Sequence, residues 1–334
     1  MAKIAILGGG SWGIALAVLL HKNGHEITVW SALEAEIDML ANTHEHKMLP
    51  GVKLADDMIF TTDDKAAVEG KDLLVMAVAS SFTRSTAHRL RDYVVEGQKI
   101  VNVAKGIEES TLLTLSEIIE EEIPQADVAV LSGPSHAEEV SRGIPTTIVV
   151  GAKSKETAEA IQSLFMNEEF RVYTSPDILG IELGGALKNV VALAAGIADG
   201  LGYGDNTKAA LITRGITEIA RLGTAMGGKF ETFCGLTGIG DLIVTCASMH
   251  SRNRRAGILI GQGYTYEEAM KEVNMVVEGV YSAKAAMGLA RKYQVQLPII
   301  EQVNAVLFEG KSADAAVKDL MLRDKKIEIS EEWN

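Results

Sequence analysis

The chain has 334 residues, a formal net charge of −13 at pH 7, and a composition that is 47% hydrophobic and 23% charged. This length predicts about two domains, and the hydrophobic share supplies the material for large cores. The acidic balance argues against a nucleic-acid partner and against binding to an anionic membrane.

The N-terminal residues predict a dinucleotide-binding unit. An apolar strand at residues 3–7 leads into the motif G-x-G-x-x-G and an alanine-rich helix, and a second strand follows at residues 26–30. Gly8 permits the tight turn, Gly10 lets a pyrophosphate approach the backbone, and Gly13 lets the helix pack against the strand. The diphosphate would lie at the positive N-terminus of the helix. A purely structural glycine turn is the alternative, which the flanking strands and helix disfavour.

Strands and helices then alternate, which predicts a doubly wound parallel sheet. A continuous apolar run at residues 72–78 indicates a central strand buried on both faces. The other expected elements are helix 33–41, a strand near Ile59, helix 82–93, strand 99–103, helix 111–121, strands 127–131 and 146–150, helix 155–166, and strand 171–173.

Helical periodicity replaces this alternation from Ser175 onward, apart from a doubtful strand near Val244. Ser175 with Pro176 and Asp177 offers an N-cap with proline at the first helical position. We therefore predict an α/β protein with a Rossmann-like dinucleotide-binding domain at residues 1–175. An all-α substrate and catalytic domain would follow at residues 176–334.

One apolar segment, residues 181–198, raises the question of a membrane span. Glu182, Lys188 and Asn189 interrupt it, and polar groups near the centre of such a segment are costly in lipid. The segment therefore predicts a buried helix.

Lys188 is the first candidate for catalysis. Its helical neighbours at three and four residues are small or apolar: Gly184, Gly185, Val191 and Ala192. Burial on a packed face disfavours the ammonium form and lowers the lysine pKa, which suits proton transfer near neutral pH. A structural ion pair with a carboxylate is the alternative interpretation.

Several segments occur in an order that resembles one family. They are Gly8 to Gly13 with Trp12, Ala104-Lys-Gly106, Ser132-Gly-Pro-Ser135, Gly185 to Asn189, Gly238 to Cys246, Ser251-Arg-Asn253 and Val276-Val-Glu-Gly279. Together they resemble the bacterial, soluble NAD(P)-dependent glycerol-3-phosphate dehydrogenases over nearly the whole chain. The resemblance implies reversible hydride transfer between NAD(P)H and C2 of dihydroxyacetone phosphate, giving sn-glycerol 3-phosphate for phospholipid synthesis.

The resemblance also implies roles for individual residues. Lys188 matches the general acid/base, which delivers a proton to the carbonyl oxygen as negative charge builds there. Lys105 and Asp241 match residues that hold the substrate and set the charge state of Lys188. The implied substrate contacts are Lys105, Gly133, Ser135, Lys188, Asn189, Asp241 and Thr245, with Ser251, Arg252 and Asn253 on the phosphate. The implied cofactor contacts are Gly8, Gly10, Ser11, Trp12, Gly13, Lys105, Ala137, Arg252, Val276 and Glu278.

Some of these residues have simpler interpretations. Arg252 begins a basic run that could be a solvated face, although its place soon after Asp241 favours function. Glu278 could be an ordinary surface acid. His44 and His46 lie in a polar loop without a third ligand, so we expect surface residues and no metal.

Cofactor choice depends on the residues after the second strand. The resembled family often places basic residues there to bind a 2′-phosphate, but residues 31–37 hold none. No acid stands at the strand end to bind a free 2′-hydroxyl either, since Glu34 comes a few residues late. We expect NAD or NADP as cofactor, with NADH or dual use favoured.

Two other functions remain open from the sequence. Another Rossmann plus helical-domain dehydrogenase, acting on a 3-hydroxyacid or on 6-phosphogluconate, would need its own substrate motif, and Ser251 to Asn253 after Asp241 fits the glycerol phosphate family better. A non-catalytic dinucleotide sensor would not need a buried lysine.

The expected partner is a small phosphate substrate, without nucleic acid or membrane insertion. The apolar helices of the second half suggest a homodimer face. Cys234 and Cys246 are the only cysteines, with no C-x-x-C motif and no secretory signal, so we expect a reduced, cytoplasmic setting.

Overall fold

An eight-stranded sheet forms the first half of the protein, seen in a computed structural model that describes residues 1–325 and 327–328. The strands are β1 (Lys3–Leu7), β2 (Glu26–Trp30), β3 (Ile59–Thr61), β4 (Leu73–Met76), β5 (Lys99–Asn102), β6 (Asp127–Ser132), β7 (Thr146–Ala152) and β8 (Phe170–Ser175). Their order across the sheet is β3-β2-β1-β4-β5-β6-β7-β8. The order reverses between β1 and β4, and in such sheets ligands bind beyond the carboxyl ends of the strands at that reversal.

Helices cover both faces of the sheet. They are α1 (Ser11–Lys22), α2 (Glu34–Thr43), α3 (Asp64–Val68), α4 (Thr83–Leu90), α5 (Leu115–Glu122), α6 (Ala137–Val140) and α7 (Lys155–Phe165). The side chains of β4 alternate between two apolar clusters, with Leu73 and Val75 in one and Leu74 and Met76 in the other. The expectation of a central strand buried on both faces is therefore confirmed.

The sheet is mostly parallel, but β7 runs antiparallel to β6, which corrects the expectation of an all-parallel sheet. Parallel neighbours need a crossover that returns along the whole sheet. The segment between β6 and β7 contains only α6, a helix of 4 residues. Because α6 is a single turn, the chain reverses directly into β7.

The second half of the chain is helical. Its helices are α8 (Ile178–Gly200), α9 (Asp205–Ala225), α10 (Phe230–Phe233), α11 (Asp241–Ala247), α12 (Arg252–Gly261), α13 (Tyr266–Val273), α14 (Glu278–Tyr293), α15 (Pro298–Phe308) and α16 (Ala313–Met321), with a π-helix at Leu236–Gly240. The doubtful strand near Val244 was wrong, because that residue lies in α11. A large apolar core surrounds α8.

The start of α8 also differs from the predicted one. Ser175 belongs to β8, and Asp177 is the N-cap, since its side chain accepts a hydrogen bond from Gly180 N at 3.1 Å. Pro176 therefore precedes the cap instead of occupying the first helical position. An aspartate side chain satisfies a free first-turn N–H as well as serine does, which explains the shift.

The predicted burial of residues 181–198 is confirmed. Among the described residues, two stretches, Ile178–Gly200 and Phe230–Ala247, are long and apolar enough to cross a membrane by length and composition alone, and 89% of the apolar part of the first is buried inside the protein. The first stretch is thus the core helix of the helical half.

Helices α8 and α12 pack unusually closely through glycines. A β-carbon added at Gly196 would lie 2.1 Å from Arg254 O, and one added at Gly257 would lie 2.3 Å from Leu193 O. Gly200 and Gly261 repeat the same contact one turn further along, with corresponding distances of 2.2 Å and 2.3 Å to backbone oxygens of the facing helix. Any side chain larger than hydrogen would separate the two backbones. We call these four residues the glycine seam.

The histidines of the loop after α2 do not both lie at the surface. His44 ends α2 in the left-handed conformation, but His46 is only 5% exposed and its Nδ1 accepts a hydrogen bond from Met48 N at 3.2 Å. The expectation that both are surface residues was therefore wrong for His46, which helps to fold the loop. Among the described residues, no group of three or more His, Cys, Asp or Glu side chains is arranged to hold a metal.

Candidate functional site

The glycine loop after β1 is shaped for close backbone approach. Gly8 has φ +126°, and a β-carbon there would lie 2.8 Å from Ala77 C in the backbone that follows β4. At Gly13 it would lie 2.2 Å from Gly8 O, so this glycine closes the turn against α1. Gly10, by contrast, faces open space, with nothing within 4 Å of such an atom.

This loop fits a dinucleotide pyrophosphate. In the part of the chain that the structure describes, no side chain caps the first turn of α1, so its backbone N–H groups remain available to an anion. Gly10 leaves the approach to these N–H groups open. The Trp12 side chain is fixed beside them by a hydrogen bond of 3.2 Å from Nε1 to Val103 O.

Across the cleft, Asp241 holds two lysines from different parts of the fold. Lys188 Nζ donates to Asp241 Oδ1 at 2.5 Å, and Lys105 Nζ donates to Asp241 Oδ2 at 2.7 Å. Lys188 also donates to Thr245 Oγ1 at 2.7 Å, and Lys105 donates to Gly133 O at 3.0 Å. These contacts fix both ammonium groups where the sheet meets α8.

The charges in this cluster depend on burial. Burial lowers the pKa of Lys188 to about 8, with Asp241 opposing the shift and Lys105 adding to it. Burial alone would raise the pKa of Asp241, but the positive charges of Lys105 and Lys188 outweigh it and hold this pKa below its usual value. Lys188 can therefore exchange a proton near neutral pH beside a permanently charged carboxylate.

Local backbone irregularity brings these side chains together. The π-helix at Leu236–Gly240 ends directly at Asp241, which is 1% exposed. π-helical turns are frequent at functional sites. Gly184 and Gly185 allow α8 to pack closely against this segment and against the sheet. A β-carbon added at Gly184 would lie 2.5 Å from Thr237 O, and one added at Gly185 would lie 3.0 Å from Ser132 Oγ.

The N-terminus of α12 forms the third wall of the cleft. Ser251 is the N-cap and accepts a hydrogen bond from Arg254 N at 3.2 Å. The Arg252 guanidinium has no hydrogen-bond partner among the described residues, although the side chain is partly buried in the cleft wall. A helix N-terminus with an adjacent unpaired arginine is suited to a phosphate group.

Asn253 serves mainly to tie helices together. Its Nδ2 donates to Asn189 Oδ1 at 3.0 Å, and its Oδ1 accepts from Gly279 N at 2.8 Å. These bonds join α8, α12 and the start of α14. The side chain of Asn253 is thus largely occupied, and its backbone N–H is the group that remains for a ligand.

Glu278 is not an ordinary surface acid. Its carboxylate accepts a hydrogen bond from Ser80 N at 3.2 Å and a second one from Ser80 Oγ. Burial raises the pKa of Glu278, while Ser80 and Arg252 oppose the rise. The contact connects the segment after β4 to the first residue of α14.

A single cleft, with a volume of about 270 Å³, collects most of the residues named from the sequence. Its lining includes Gly10, Ser11, Trp12, Lys105, Ser135, Ala137, Lys188, Asn189, Thr245, Ser251, Arg252, Asn253, Val276 and Glu278. Four others support the wall from behind: Gly8 and Gly13 shape the loop, Gly133 receives Lys105, and Asp241 holds the lysines.

The sequence did not single out several residues that also line the cleft. Ala77, Val78 and Ala79 follow β4 opposite the glycine loop. Their position at the carboxyl end of a buried strand could have identified them in the sequence as cleft residues. His136 and His250 stand near the lysine cluster with ring centroids 5.6 Å apart. Within the described chain, the buried Nε2 of His136 has no hydrogen-bond partner.

Comparison with known families matches nearly the whole chain. Residues 3–158 match the model described as NAD-dependent glycerol-3-phosphate dehydrogenase N-terminus, and residues 177–318 match the corresponding C-terminus model.

Individual relatives agree with these matches. The chain is 65% identical to glycerol-3-phosphate dehydrogenase [NAD(P)+] of Agathobacter rectalis over 335 aligned positions, covering 100% of both chains. It is 64% identical to the enzyme of the same name from Fusobacterium nucleatum, covering 98% of this chain and 99% of that one. The crystal structure of glycerol-3-phosphate dehydrogenase from Coxiella burnetii superposes with a TM-score of 0.93 at 36% identity, covering 96% of this chain and 99% of the other.

Proposed function

The chain belongs to the NAD-dependent glycerol-3-phosphate dehydrogenase family, and from this premise we propose how its cleft carries out the reaction. It is an NAD(P)-dependent oxidoreductase that interconverts dihydroxyacetone phosphate and sn-glycerol 3-phosphate, a precursor for phospholipid synthesis. The observation that carries the assignment of roles is the buried Lys188, held by Asp241 in a cleft between the glycine loop and the N-terminus of α12.

Lys188 is the proton donor in the reduction. When bound at the glycine loop, the cofactor supplies the hydride to C2 of the substrate. Negative charge then develops on the carbonyl oxygen, and the Lys188 ammonium stabilises it and transfers a proton to it. In the oxidation the neutral amine accepts the same proton. A pKa of about 8 allows both directions near neutral pH.

Lys105 and Asp241 position the proton donor. Asp241 fixes Lys188 through a 2.5 Å hydrogen bond and keeps it partly protonated despite burial. Lys105 shares the same carboxylate, and its remaining N–H donor can bind a substrate oxygen. Thr245, 2.7 Å from Lys188 Nζ, completes the orientation of the ammonium group.

The substrate phosphate binds at the N-terminus of α12. Ser251, Arg252 and the backbone N–H of Asn253 provide hydroxyl, guanidinium and amide donors at the positive end of the helix dipole. Ser135, just after β6, contacts the triose, and Gly133 supports that contact by holding Lys105, while Asn189 supports Asn253. Phosphate binding there holds the carbonyl near Lys188, so that remote binding energy contributes to turnover.

The cofactor lies along the opposite wall. Gly8, Gly10 and Gly13 form the pyrophosphate loop, with Ser11 and Trp12 at the start of α1. The further contacts are Ala137 on α6, Val276 and Glu278 at the start of α14, and Lys105 and Arg252 where the two ligands meet.

The test is oxidation of NADH or NADPH followed by absorbance at 340 nm with purified protein and dihydroxyacetone phosphate. We expect turnover that requires the ketone phosphate and yields sn-glycerol 3-phosphate. Binding of the reduced cofactor without turnover would indicate a sensor instead. Turnover with a 3-hydroxyacid but not with the triose phosphate would indicate the other dehydrogenase class.

We also propose a division into a dinucleotide-binding domain at residues 1–175 and a substrate domain at residues 176–334. The end of β8 at Ser175 and the start of α8 at Ile178 support this boundary. Limited proteolysis near residue 176 that yields two protected fragments would support it, and cleavage within either unit would contradict it.

We also propose that the protein is a cytoplasmic homodimer and that it does not insert into a membrane. The apolar helical half and the unpaired Cys234 and Cys246 support it. Light scattering on the purified protein tests the dimer, and fractionation of cells tests the location. A monomeric mass or recovery in the membrane fraction would contradict the respective part.

A further inference from the structure

Glu36 lies against the glycine loop although it is six residues beyond the last residue of β2 in sequence. It belongs to the first turn of α2, which begins at Glu34. A β-carbon added to Gly9 would lie 2.7 Å from Glu36 Oε2 and 2.9 Å from Glu36 Cδ. The carboxylate is therefore in direct contact with the middle glycine of the loop.

This position corresponds to the place of the adenosine ribose. In Rossmann folds an acid at the end of the second strand reaches the ribose beside the glycine loop and accepts a hydrogen bond from the 2′-hydroxyl. Here the residue after β2 is Ser31, whose Oγ accepts a hydrogen bond from Leu33 N at 3.1 Å. Ser31 shapes the turn into α2, and this turn carries the carboxylate of Glu36 back to the loop.

The charges around Glu36 favour a neutral ribose over a phosphorylated one. None of residues 31–46 is lysine or arginine. The nearby His46 is 5% exposed, and burial with the charge of Lys47 lowers its pKa, so it stays neutral near pH 7 and adds no positive charge beside Glu36. A 2′-phosphate placed here would meet a like charge in a partly desolvated site.

We propose that Glu36 selects NADH over NADPH in this protein, because its carboxylate accepts a hydrogen bond from the adenosine 2′-hydroxyl and repels a 2′-phosphate. This inference rests on the proposed binding of the dinucleotide at the glycine loop. It also supplies the acid that the sequence did not place at the end of the second strand.

Calorimetric binding of two cofactor fragments tests the role without catalysis. The probes are ADP-ribose and its 2′-phosphorylated form, titrated into the wild type, Glu36→Gln and Glu34→Gln. We expect the wild type to prefer ADP-ribose by about tenfold or more, and Glu36→Gln to reduce this preference at least about fivefold. Glu34→Gln is the matched control, since it removes the same charge from the same helical turn at an exposed position.

The outcomes separate this inference from the proposed function. An unchanged preference in folded Glu36→Gln, or an equal change in Glu34→Gln, overturns the role of Glu36 while leaving the dehydrogenase intact. Tighter binding of the phosphorylated probe to the wild type also overturns it. If the wild type binds neither probe and lacks activity with dihydroxyacetone phosphate, the proposed cofactor site fails as well. Glu36→Ser provides a second variant if glutamine packs poorly against Gly9.

Discussion

Lys188 and Asp241 form a buried ion pair in which Lys188 Nζ lies 2.5 Å from Asp241 Oδ1, while the second oxygen of the same carboxylate binds Lys105. One carboxylate thus faces two lysines. When both lysines are protonated the cluster has an excess of positive charge, which suits an anionic substrate and an oxygen that becomes negative during reduction.

Replacing Lys188 by methionine keeps the side-chain length but removes the proton and the charge. We expect kcat for reduction of dihydroxyacetone phosphate to fall about a hundredfold or more, because general acid catalysis is lost. The Kd for NADH, measured by calorimetry, should change little. Lys153→Met, which alters an exposed lysine paired with Glu120, is the control. Near-normal turnover by folded Lys188→Met would remove this lysine from the mechanism.

The pH dependence should differ in sign between the two directions. Reduction needs protonated Lys188, so its kcat/KM should fall as pH rises above the lysine pKa of about 8. Oxidation needs the neutral amine, so its kcat/KM should rise with pH and level off above the same value. Profiles from pH 6 to 10 in both directions, at saturating cofactor, test this. If kcat/KM changed with pH in the same way in both directions, Lys188 would not be the proton donor and acceptor.

Asp241→Asn should make Lys188 a poorer acid catalyst at neutral pH. Asp241 raises the Lys188 pKa against the effect of burial, so the neutral amide should lower that pKa by about one unit or more. The basic limb of the reduction profile should move to lower pH, with kcat at pH 7 reduced about twofold for a shift of one unit and about tenfold for a shift of two units. Asp127→Asn, at the other end of β6 from the site, should leave the profile unchanged. If the rate fell but the basic limb of the pH profile stayed at the same pH, the substitution would have changed only the position of Lys188 and not its pKa.

Arg252→Ala should lose both kcat and substrate affinity. In the proposed complex Arg252 contacts the phosphate and so keeps the carbonyl in position, and loss of this contact should reduce kcat/KM by about a hundredfold or more. With dihydroxyacetone, which lacks the phosphate, the wild type should already be slow and the substitution should change the rate little. Arg255→Ala on the same helix is the control. If Arg252→Ala impairs both substrates equally, the residue serves the cofactor or the fold.

Gly257→Ala should destabilise the protein through the glycine seam. The new β-carbon would lie 2.3 Å from Leu193 O, and separating the helices should lower the free energy of unfolding by about 1–3 kcal/mol. Alanine also gains about 1 kcal/mol in helix propensity, so the net destabilisation should be about 0–2 kcal/mol, and the upper part of this range is expected because the contact is with rigid backbone. Gly240→Ala is the control, because its nearest contact would be 3.6 Å away. Thermal melts of both variants make the comparison, and equal melting temperatures would contradict the prediction.

The order of the strands and of the longer helices was predictable because it depends on local periodicity, whereas the short helices α3 and α6 were not predicted. The run at residues 72–78 alternates between two apolar clusters, and the buried helix around Lys188 shows small residues on its faces. The antiparallel β7 was not predictable in this way. Its direction depends on the length of α6, a single turn whose four residues carry no strong periodic signal.

Tertiary contacts explain what the sequence left out of the site. The basic run after Ser251 separates in the structure: Arg254 donates to Asp199 Oδ2 at 2.8 Å and is structural, whereas Arg252 lines the cleft. The family resemblance singled out Arg252, but no local pattern in the basic run itself distinguishes these two arginines. Likewise, the reach of Glu36 to Gly9 depends on the turn at Ser31, which is visible only when α2 is placed against the loop.

The glycine seam has a consequence for the length of substrate that the enzyme accepts. It holds α12, whose first turn is the proposed phosphate site, at a fixed distance from α8, which carries Lys188. A ketone phosphate with one additional methylene would shift its carbonyl by about 1.5 Å relative to the ammonium group. A misplacement of about 1 Å can cost a hundredfold in rate, so with the phosphate bound as proposed, contact between two backbones remote from the reacting carbon should favour a three-carbon ketone phosphate over longer ones.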